Sequence, residues 1–219
     1  MHTPGGEIVR LAYVRDMAPM SQIDSRLRDV GLPALRGLPG VLDVHVARRG
    51  PDQNGERIIA SVWESTERMA AAMGPTVEEA THADLAPEVI RQGVEILPLA
   101  FSLRFPSESL ARVLRVFRGE VKDGFVNEYL EAARAGAEAD AEHGEGPLGL
   151  FLGFAGERNF VTVSVWPDWS TIQSRTGGNI RQPIATRHAQ MLVRGTATHY
   201  EVLAPATPPA DAQRRQVAT

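Results

Sequence analysis

Two tryptophan–histidine combinations are the residues of this chain best suited to chemistry. The tripeptide Ser-Val-Trp occurs twice in 219 residues, ending at Trp63 and at Trp166, and each copy is followed by a histidine, His82 and His188. An indole offers a large flat surface with one N–H donor, which suits stacking on an aromatic ligand. A histidine can exchange a proton near neutral pH and so act as a general base. We therefore treat these four as candidate site residues; the alternatives are core packing for the tryptophans and exposed helix positions for the histidines.

Further polar contacts are predicted from a strand and from a glycine-containing loop. In the segment VLDVHVARR, alternation places Asp43 and His45 on one face, where they could form a small acid–base pair. Arg48 or Arg49, at the end of that strand, could stabilise a negatively charged oxygen of a ligand. Asn179 follows two glycines in RTGGNIRQP, a segment that could close over a pocket as a lid. A solvent-facing strand and an ordinary loop are the alternatives.

The elements that must position these residues occur in the same order in both halves of the chain. The first half reads as strand 8–15, helix 19–36, strands 41–49 and 57–63, helical segments to about 91, and a strand after Gly93. The second half reads as strand 111–119, helix 122–142, a strand hairpin ending at Trp166, helical pieces over 168–192, and a strand after Gly195. We interpret this pattern as an internal duplication.

Each half predicts a ferredoxin-like β-α-β-β-α-β unit, so the fold class is α+β. Such a unit leaves one face of its sheet bare, and two copies can cover each other by closing into a barrel within the chain. The predicted units are 7–105 and 110–204, connected through the segment 101–110, and residues 205–219 are predicted to be a disordered tail.

Composition excludes several classes of function. The chain has no cysteine, which excludes disulfides, thiolate nucleophiles and cysteine-bound metal. The net charge is −4 with both signs well mixed, so no nucleic-acid partner is expected. No apolar run approaches the ~20 residues of a membrane helix, and the first residues lack the apolar stretch of a signal peptide. We expect a cytoplasmic protein with no membrane contact.

The segment LPGVLDVHVARR followed by GERIIASVWESTERMAAA resembles the antibiotic biosynthesis monooxygenase domain of the dimeric α/β-barrel superfamily. The shared features are Pro-Gly before the second strand, arginine at its end, and Trp-Glu-Ser before a helix. The second half is similar but matches more weakly, at Gly146-Pro147 and Trp166-Pro167-Asp168. The resemblance covers about 200 residues as a tandem pair.

This resemblance implies a pocket between sheet and helices or within the barrel, where the family oxidises aromatic phenols with O₂ and without metal or flavin. The leading hypothesis is a cofactor-independent monooxygenase acting on a small aromatic molecule, with His82 or His188 as base and Trp63 and Trp166 as aromatic wall. Haem binding or degradation is an alternative, because a haem-degrading branch carries its iron ligand where His82 stands. A non-catalytic barrel that binds a small ligand is the third hypothesis. Exposed strands or helices could also form a homo-oligomer.

Overall fold

The structure is a computed structural model that describes residues 6–16, 20–49, 55–74, 89–105, 110–143, 146–176, 178 and 187–203. The strands are β1 (Ile8–Asp16), β2 (Val41–Arg49), β3 (Arg57–Trp63), β4 (Val89–Arg104), β5 (Val113–Val121), β6 (Gly149–Phe154), β7 (Asn159–Trp166) and β8 (Leu192–Val202). The helices are α1 (Met20–Arg26), continued by a π-helical turn (Leu27–Gly31), α2 (Leu32–Arg36), α3 (Thr66–Met73), α4 (Val126–Glu142) and α5 (Trp169–Thr176), with a 3₁₀ turn at Arg187–Met191. None of the helices described is long and apolar enough to cross a membrane.

The eight strands form one closed barrel in the order β1-β3-β2-β8-β5-β7-β6-β4. Within the first half the order is β2-β3-β1-β4, and within the second it is β6-β7-β5-β8, which is the same arrangement. The halves join through antiparallel pairing of β4 with β6 and of β2 with β8. The predicted α+β fold, with two ferredoxin-like units closing into a barrel within one chain, is confirmed. A common origin of the halves remains a prediction.

Strand alternation separates the barrel interior from an outer layer of sheet and helices. The interior cluster is made mainly of aliphatic side chains from all eight strands and includes Val9, Leu11, Ala60, Val62, Leu97, Leu99, Leu114, Val116, Phe151, Val163 and Val165. The opposite face of the same strands packs against the helices in four further groups, two in each half. A site residue at an outward-facing strand position therefore lies between the sheet and the helices, outside the barrel interior.

Several predicted boundaries are wrong. The strand predicted after Gly93 does continue through residues 101–104, which pair with β6, so the connector does not begin at 101 as predicted. Strand β4 already begins at Val89, within the predicted helical region. The predicted helix 122–142 starts only at Val126, because Gly124 adopts a positive φ of 77° in the preceding turn.

Strand β8 begins at Leu192, before the glycine that was predicted to precede it. Gly195 lies inside the strand, directly opposite Gly119 of β5. A Cβ atom at Gly195 would lie 2.4 Å from the ring of Phe117, so this ring packs over the glycine backbone. Glycine is tolerated within the strand because an aromatic ring covers it.

One end of the barrel is crossed by a polar link between the halves. Arg118 of β5 donates to the hydroxyl of Tyr13 on β1 and to both carboxylate oxygens of Glu95 on β4, at 2.8 Å each. Strands β1 and β5 stand on opposite sides of the closed order, so the guanidinium spans the barrel mouth. The hydroxyl of Tyr200 on β8 donates to Glu56 across the same two halves at 2.9 Å. Both links stabilise the closed arrangement.

Candidate functional site

A cavity of about 130 Å³ lies in the second half, between α4 and the outer face of β5, β6 and β7. Its walls include Arg115 and Trp166 from the sheet, Tyr129 from α4, and His188 from the 3₁₀ turn. Two of the candidate residues, Trp166 and His188, therefore line the same space. They are 22 positions apart in sequence and are brought together by the packing of α4 and the 3₁₀ turn on the sheet.

The cavity exists because α4 presents small side chains to the sheet. Ala133, Gly136 and Ala137 of this helix all line it. The corresponding helical segment of the first half buries four large aliphatic side chains against its sheet, Ile23, Leu27, Leu32 and Leu35. The small side chains of α4 thus leave a space in the second half. Large aliphatic side chains fill the corresponding space in the first half. The sequence signal was the run AARAGAEA, which we did not interpret as a pocket wall.

The repeated Ser-x-Trp motif has a structural role in both halves. The indole N–H of Trp63 donates to the Ser61 hydroxyl at 2.9 Å, and that of Trp166 donates to the Ser164 hydroxyl at 2.8 Å. Both indoles are buried at the end of their strands. Trp63 packs in a core group with Ile8, whereas Trp166 also forms part of the cavity wall. The motif therefore satisfies the buried indole N–H in each half.

Arg115 places a positive charge at the cavity, and sequence reasoning missed it. The residue is 4 % exposed, and its guanidinium carbon lies 4.9 Å from the centroid of the Phe117 ring. Burial lowers the pKa of Arg115 to about 10, while interaction with Tyr129 raises it. The guanidinium is therefore charged at pH 7. Its sequence signal is one arginine on the helix-facing side of the apolar strand VLRVF.

Aromatic side chains connect the interior of the cavity to His188. The Tyr129 ring packs against Phe160 with centroids 4.7 Å apart, and it meets the His188 ring edge-on at 6.1 Å. Burial raises the pKa of the Tyr129 hydroxyl, which is hydrogen-bonded to Thr162, so this phenol stays protonated. The wall therefore combines flat apolar surface with a hydroxyl group and an imidazole.

An ion pair joins the two helices that flank the cavity. Arg175 of α5 pairs with Asp140 of α4, and both residues line the cavity. The Arg175 charge is thus balanced within the wall. An ion pair between partly buried side chains of the two helices favours a fixed spacing of α4 and α5.

The remaining described candidates lie elsewhere. His45 pairs with Asp43 at 3.1 Å, on the strand face that also carries the barrel residue Ala47. This hydrogen-bonded partner keeps the pKa of Asp43 lowered, although burial acts in the opposite direction as the largest single influence. The pair predicted from strand alternation is therefore present, but it lies on the inner face of the barrel sheet. The second-half cavity lies on the outer face.

The two arginines predicted to hold a phenolate are engaged in other ion pairs. Arg48 contacts Asp24 of α1 and Glu201 of β8, at 3.1 and 2.7 Å. Arg49 contacts Glu56 at 3.5 Å. These pairs lie at the seam between β2 and β8, so neither arginine is placed at the cavity. The arginines that line the cavity are Arg115 and Arg175.

His82, Asn179 and the predicted tail 205–219 lie outside the described residues. Their predicted roles therefore remain predictions. Within the part of the chain that is described, no group of three histidine or acidic side chains could hold a metal ion.

A half-buried histidine, His199 on β8, should make the stability of the fold depend on pH. Burial lowers its pKa from 6.5 to about 4, and the charge of Arg115 acts in the same direction. The unfolded chain therefore binds this proton more strongly, and the free energy of unfolding should fall as the pH drops from about 6.5 to about 4. Urea unfolding across this range should show a smaller loss in His199→Gln than in the wild type.

The exposed His143 at the end of α4 provides the matched control. The variant His143→Gln should lose stability with falling pH in the same way as the wild type. If His199→Gln and the wild type lost equal stability between pH 6.5 and pH 4, the assignment of this pH dependence to His199 would be wrong.

No protein-family model and no curated protein matches this chain. Solved structures do match it. A candidate monooxygenase from Fusobacterium nucleatum is 14% identical with a TM-score of 0.69, covering 92% of this chain and 94% of its own. A candidate chlorite dismutase is 15% identical with a TM-score of 0.59, covering 90% and 94%.

A ferredoxin-fold protein from Listeria monocytogenes, related to antibiotic biosynthesis monooxygenases, is 9% identical with a TM-score of 0.52, covering 90% of this chain and 95% of its own. At such identities the matches establish fold and leave activity open. The chain therefore has the fold of these structures, with both ferredoxin-like units in one polypeptide.

Proposed function

We propose that the cavity of the second half binds a small hydroxyaromatic molecule and that the protein oxidises it with O₂ without a cofactor. The observation that carries this proposal is a charged, buried guanidinium, that of Arg115, inside an aromatic wall with an imidazole, that of His188, at its edge. A guanidinium stabilises an anionic oxygen, and an imidazole can accept the proton whose loss creates it. Deprotonation and charge stabilisation are the steps that make a phenol reactive toward O₂.

In the proposed reaction, His188 takes the phenolic proton and Arg115 holds the resulting phenolate. The electron-rich ring gives one electron to O₂, and recombination forms a carbon–oxygen bond as a ring peroxide. Loss of the ring hydrogen and cleavage of the O–O bond then release water and leave a quinone. For phenol itself the balance is C₆H₆O + O₂ → C₆H₄O₂ + H₂O. The substrate supplies all electrons, so the reaction needs no external reductant.

The size of the cavity limits the substrate. One water-sized group needs roughly 10–15 Å³ of such space, so about 130 Å³ accommodates on the order of ten non-hydrogen atoms. This corresponds to one or two aromatic rings. Pockets for drug-sized ligands are larger, roughly 300–1,000 Å³. We therefore propose a monocyclic or bicyclic phenol in place of a polycyclic one.

Haem does not fit the cavity as it stands. Its macrocycle is larger than a drug-sized ligand, whereas the space between α4 and the sheet is about 130 Å³. In a His82→Ala background, which removes the ligand that the resemblance implies for haem, titration with haemin should give no saturable shift of the Soret band. A saturable shift that disappears in His188→Ala would overturn this conclusion.

The proposed activity is tested by oxygen uptake with simple phenols and naphthols. We expect turnover in the wild type and a reduction in kcat of roughly 100-fold in His188→Gln, because a positioned general base contributes about 10²–10⁴ to rate. The thermal midpoint should be unchanged, since His188 lies at the cavity edge. His143→Gln, which removes an exposed histidine from the same half, is the matched control.

Binding of these phenols without oxygen uptake would favour the alternative, a barrel that binds small aromatic ligands and performs no chemistry. Uptake that survives His188→Gln undiminished would remove His188 from the reaction.

A further inference from the structure

The proposed reaction does not use His199, although this histidine lies directly beside Arg115. Arg115 on β5 pairs with Ser164 on β7 and with His199 on β8, so the three side chains form a row on the outer face of the sheet. Directly opposite side chains on neighbouring strands have Cβ atoms about 4.5–5.5 Å apart. The His199 ring also meets the Trp169 ring of α5, with centroids 5.6 Å apart. It is enclosed by the arginine on one side and the indole on another.

The first half contains the same row with one difference. Arg10 on β1 pairs with Ser61 on β3 and with Ile96 on β4. Arg10 is 1 % exposed, and Ser61 accepts the indole N–H of Trp63 just as its counterpart does in the second half. The chain thus packs a buried arginine between a Ser-x-Trp motif and an aliphatic side chain. A histidine is not required for this arrangement.

A second polar difference falls on the same face. Thr162 of β7 pairs with Phe117 of β5, whereas the corresponding position of β3, Ile59, pairs with Ala12 of β1. Thr162 lines the cavity and is hydrogen-bonded to Tyr129. Both polar replacements are therefore found in the half that contains the cavity.

The histidine is also an unfavourable choice for packing alone. Its Nε2 atom is buried and has no hydrogen-bond partner among the residues described. An unpaired buried polar atom costs stability, and an aliphatic side chain would avoid that cost. Burial and the adjacent arginine keep the imidazole neutral, because they lower the pKa of His199 to about 4. A neutral polar ring can flank a guanidinium without repelling it.

We propose that His199 is a positioning residue whose imidazole flanks the Arg115 guanidinium and keeps it directed at an anionic oxygen in the cavity. A charged group in an apolar environment requires polar neighbours, and the imidazole supplies one on the flank where the first half has the aliphatic Ile96. The inference rests on the proposed function in that it takes the ligand to be a hydroxyaromatic anion.

The test compares two probes that differ in one charged oxygen, 4-nitrophenolate and nitrobenzene, by equilibrium dialysis with the full chain at pH 8. We expect His199→Ile, which copies the first half, to bind 4-nitrophenolate roughly 10-fold more weakly. This is the lower end of the affinity losses that follow removal of a residue supporting a ligand-binding residue. Affinity for nitrobenzene should change less than about twofold, and the thermal midpoint should equal or exceed that of the wild type. His199→Gln, neutral and polar, should keep the affinity for 4-nitrophenolate within about threefold.

The mirrored variant Ile96→His is the matched control and should leave both affinities unchanged. The proposal is overturned if His199→Ile binds 4-nitrophenolate like the wild type, if it loses both probes equally, or if the wild type does not prefer the phenolate. Should His199→Ile not fold, His199→Met carries the same expectation. Oxygen uptake is measured separately on the same samples. Selective binding of 4-nitrophenolate without oxygen uptake would contradict the proposed monooxygenase activity and would still support the role of His199.

Discussion

Replacing Arg115 by leucine should reduce kcat/KM for phenol oxidation by roughly 100- to 1,000-fold, the usual effect of removing one group that stabilises a developing oxyanion. The guanidinium is the cation that we place at the phenolate, and its pKa of about 10 keeps it charged at neutral pH. Arg115→Lys should give an intermediate loss, because an ammonium keeps the charge and lacks the planar fork of donors. Steady-state oxygen uptake and dialysis with 4-nitrophenolate measure both effects.

Stability should move differently from activity in the same variant. Arg115 and Arg10 are both buried, at corresponding positions of the two halves, so Arg115→Leu and Arg10→Leu should change the free energy of unfolding by similar amounts. Only Arg115→Leu should lose activity. This separation distinguishes a binding residue from one that only supports the fold.

Arg10→Leu provides the matched control, because Arg10 occupies the corresponding position of the first half and is equally buried. It should leave probe affinity and oxygen uptake unchanged. Equal losses of affinity in Arg10→Leu and Arg115→Leu would mean that the arginines act through the barrel as a whole, and the assignment to one cavity would be wrong.

The fold was predictable because local signals and global pattern agree. Both strands ending in Ser-Val-Trp have the predicted ends at Trp63 and Trp166, and Ser65 caps α3 as expected by accepting the backbone N–H of Arg68. The errors occur where a glycine resembles a boundary. Gly195 lies inside β8 because Phe117 covers it, a contact between strands that no local pattern encodes.

The candidate site was harder to predict because it depends on volume and on a charge inside the core. Trp166 and His188 could be proposed as candidates from their residue types. Their common cavity results from three small residues on α4, and whether these leave a space depends on the sheet residues that pack against them. Arg115 was overlooked because an arginine in a strand usually faces solvent. Comparing the halves position by position along β1 and β5 would have aligned it with Arg10 and suggested burial.

Truncating either repeated tryptophan should be strongly destabilising, by about 3–5 kcal/mol for Trp63→Ala or Trp166→Ala. Trp63 is fully buried and Trp166 nearly so, and each indole donates to a serine two residues earlier. Removing the indole creates a void and leaves a buried hydroxyl without its donor. Urea unfolding followed by circular dichroism measures the loss.

Phenylalanine at the same positions separates the two tryptophans by function. Trp63→Phe and Trp166→Phe should lose similar stability, since both lose the bond to serine. Only Trp166→Phe should also weaken binding of 4-nitrophenolate, because only Trp166 of the pair lines the second-half cavity. Stacking on an aromatic side chain is worth about 0.5–1.5 kcal/mol beyond area burial, so a smaller ring should cost up to roughly 10-fold in affinity. Equal affinity in both variants would mean that Trp166 supports the cavity without touching the ligand, and the repeated motif would then have the same structural role in each half.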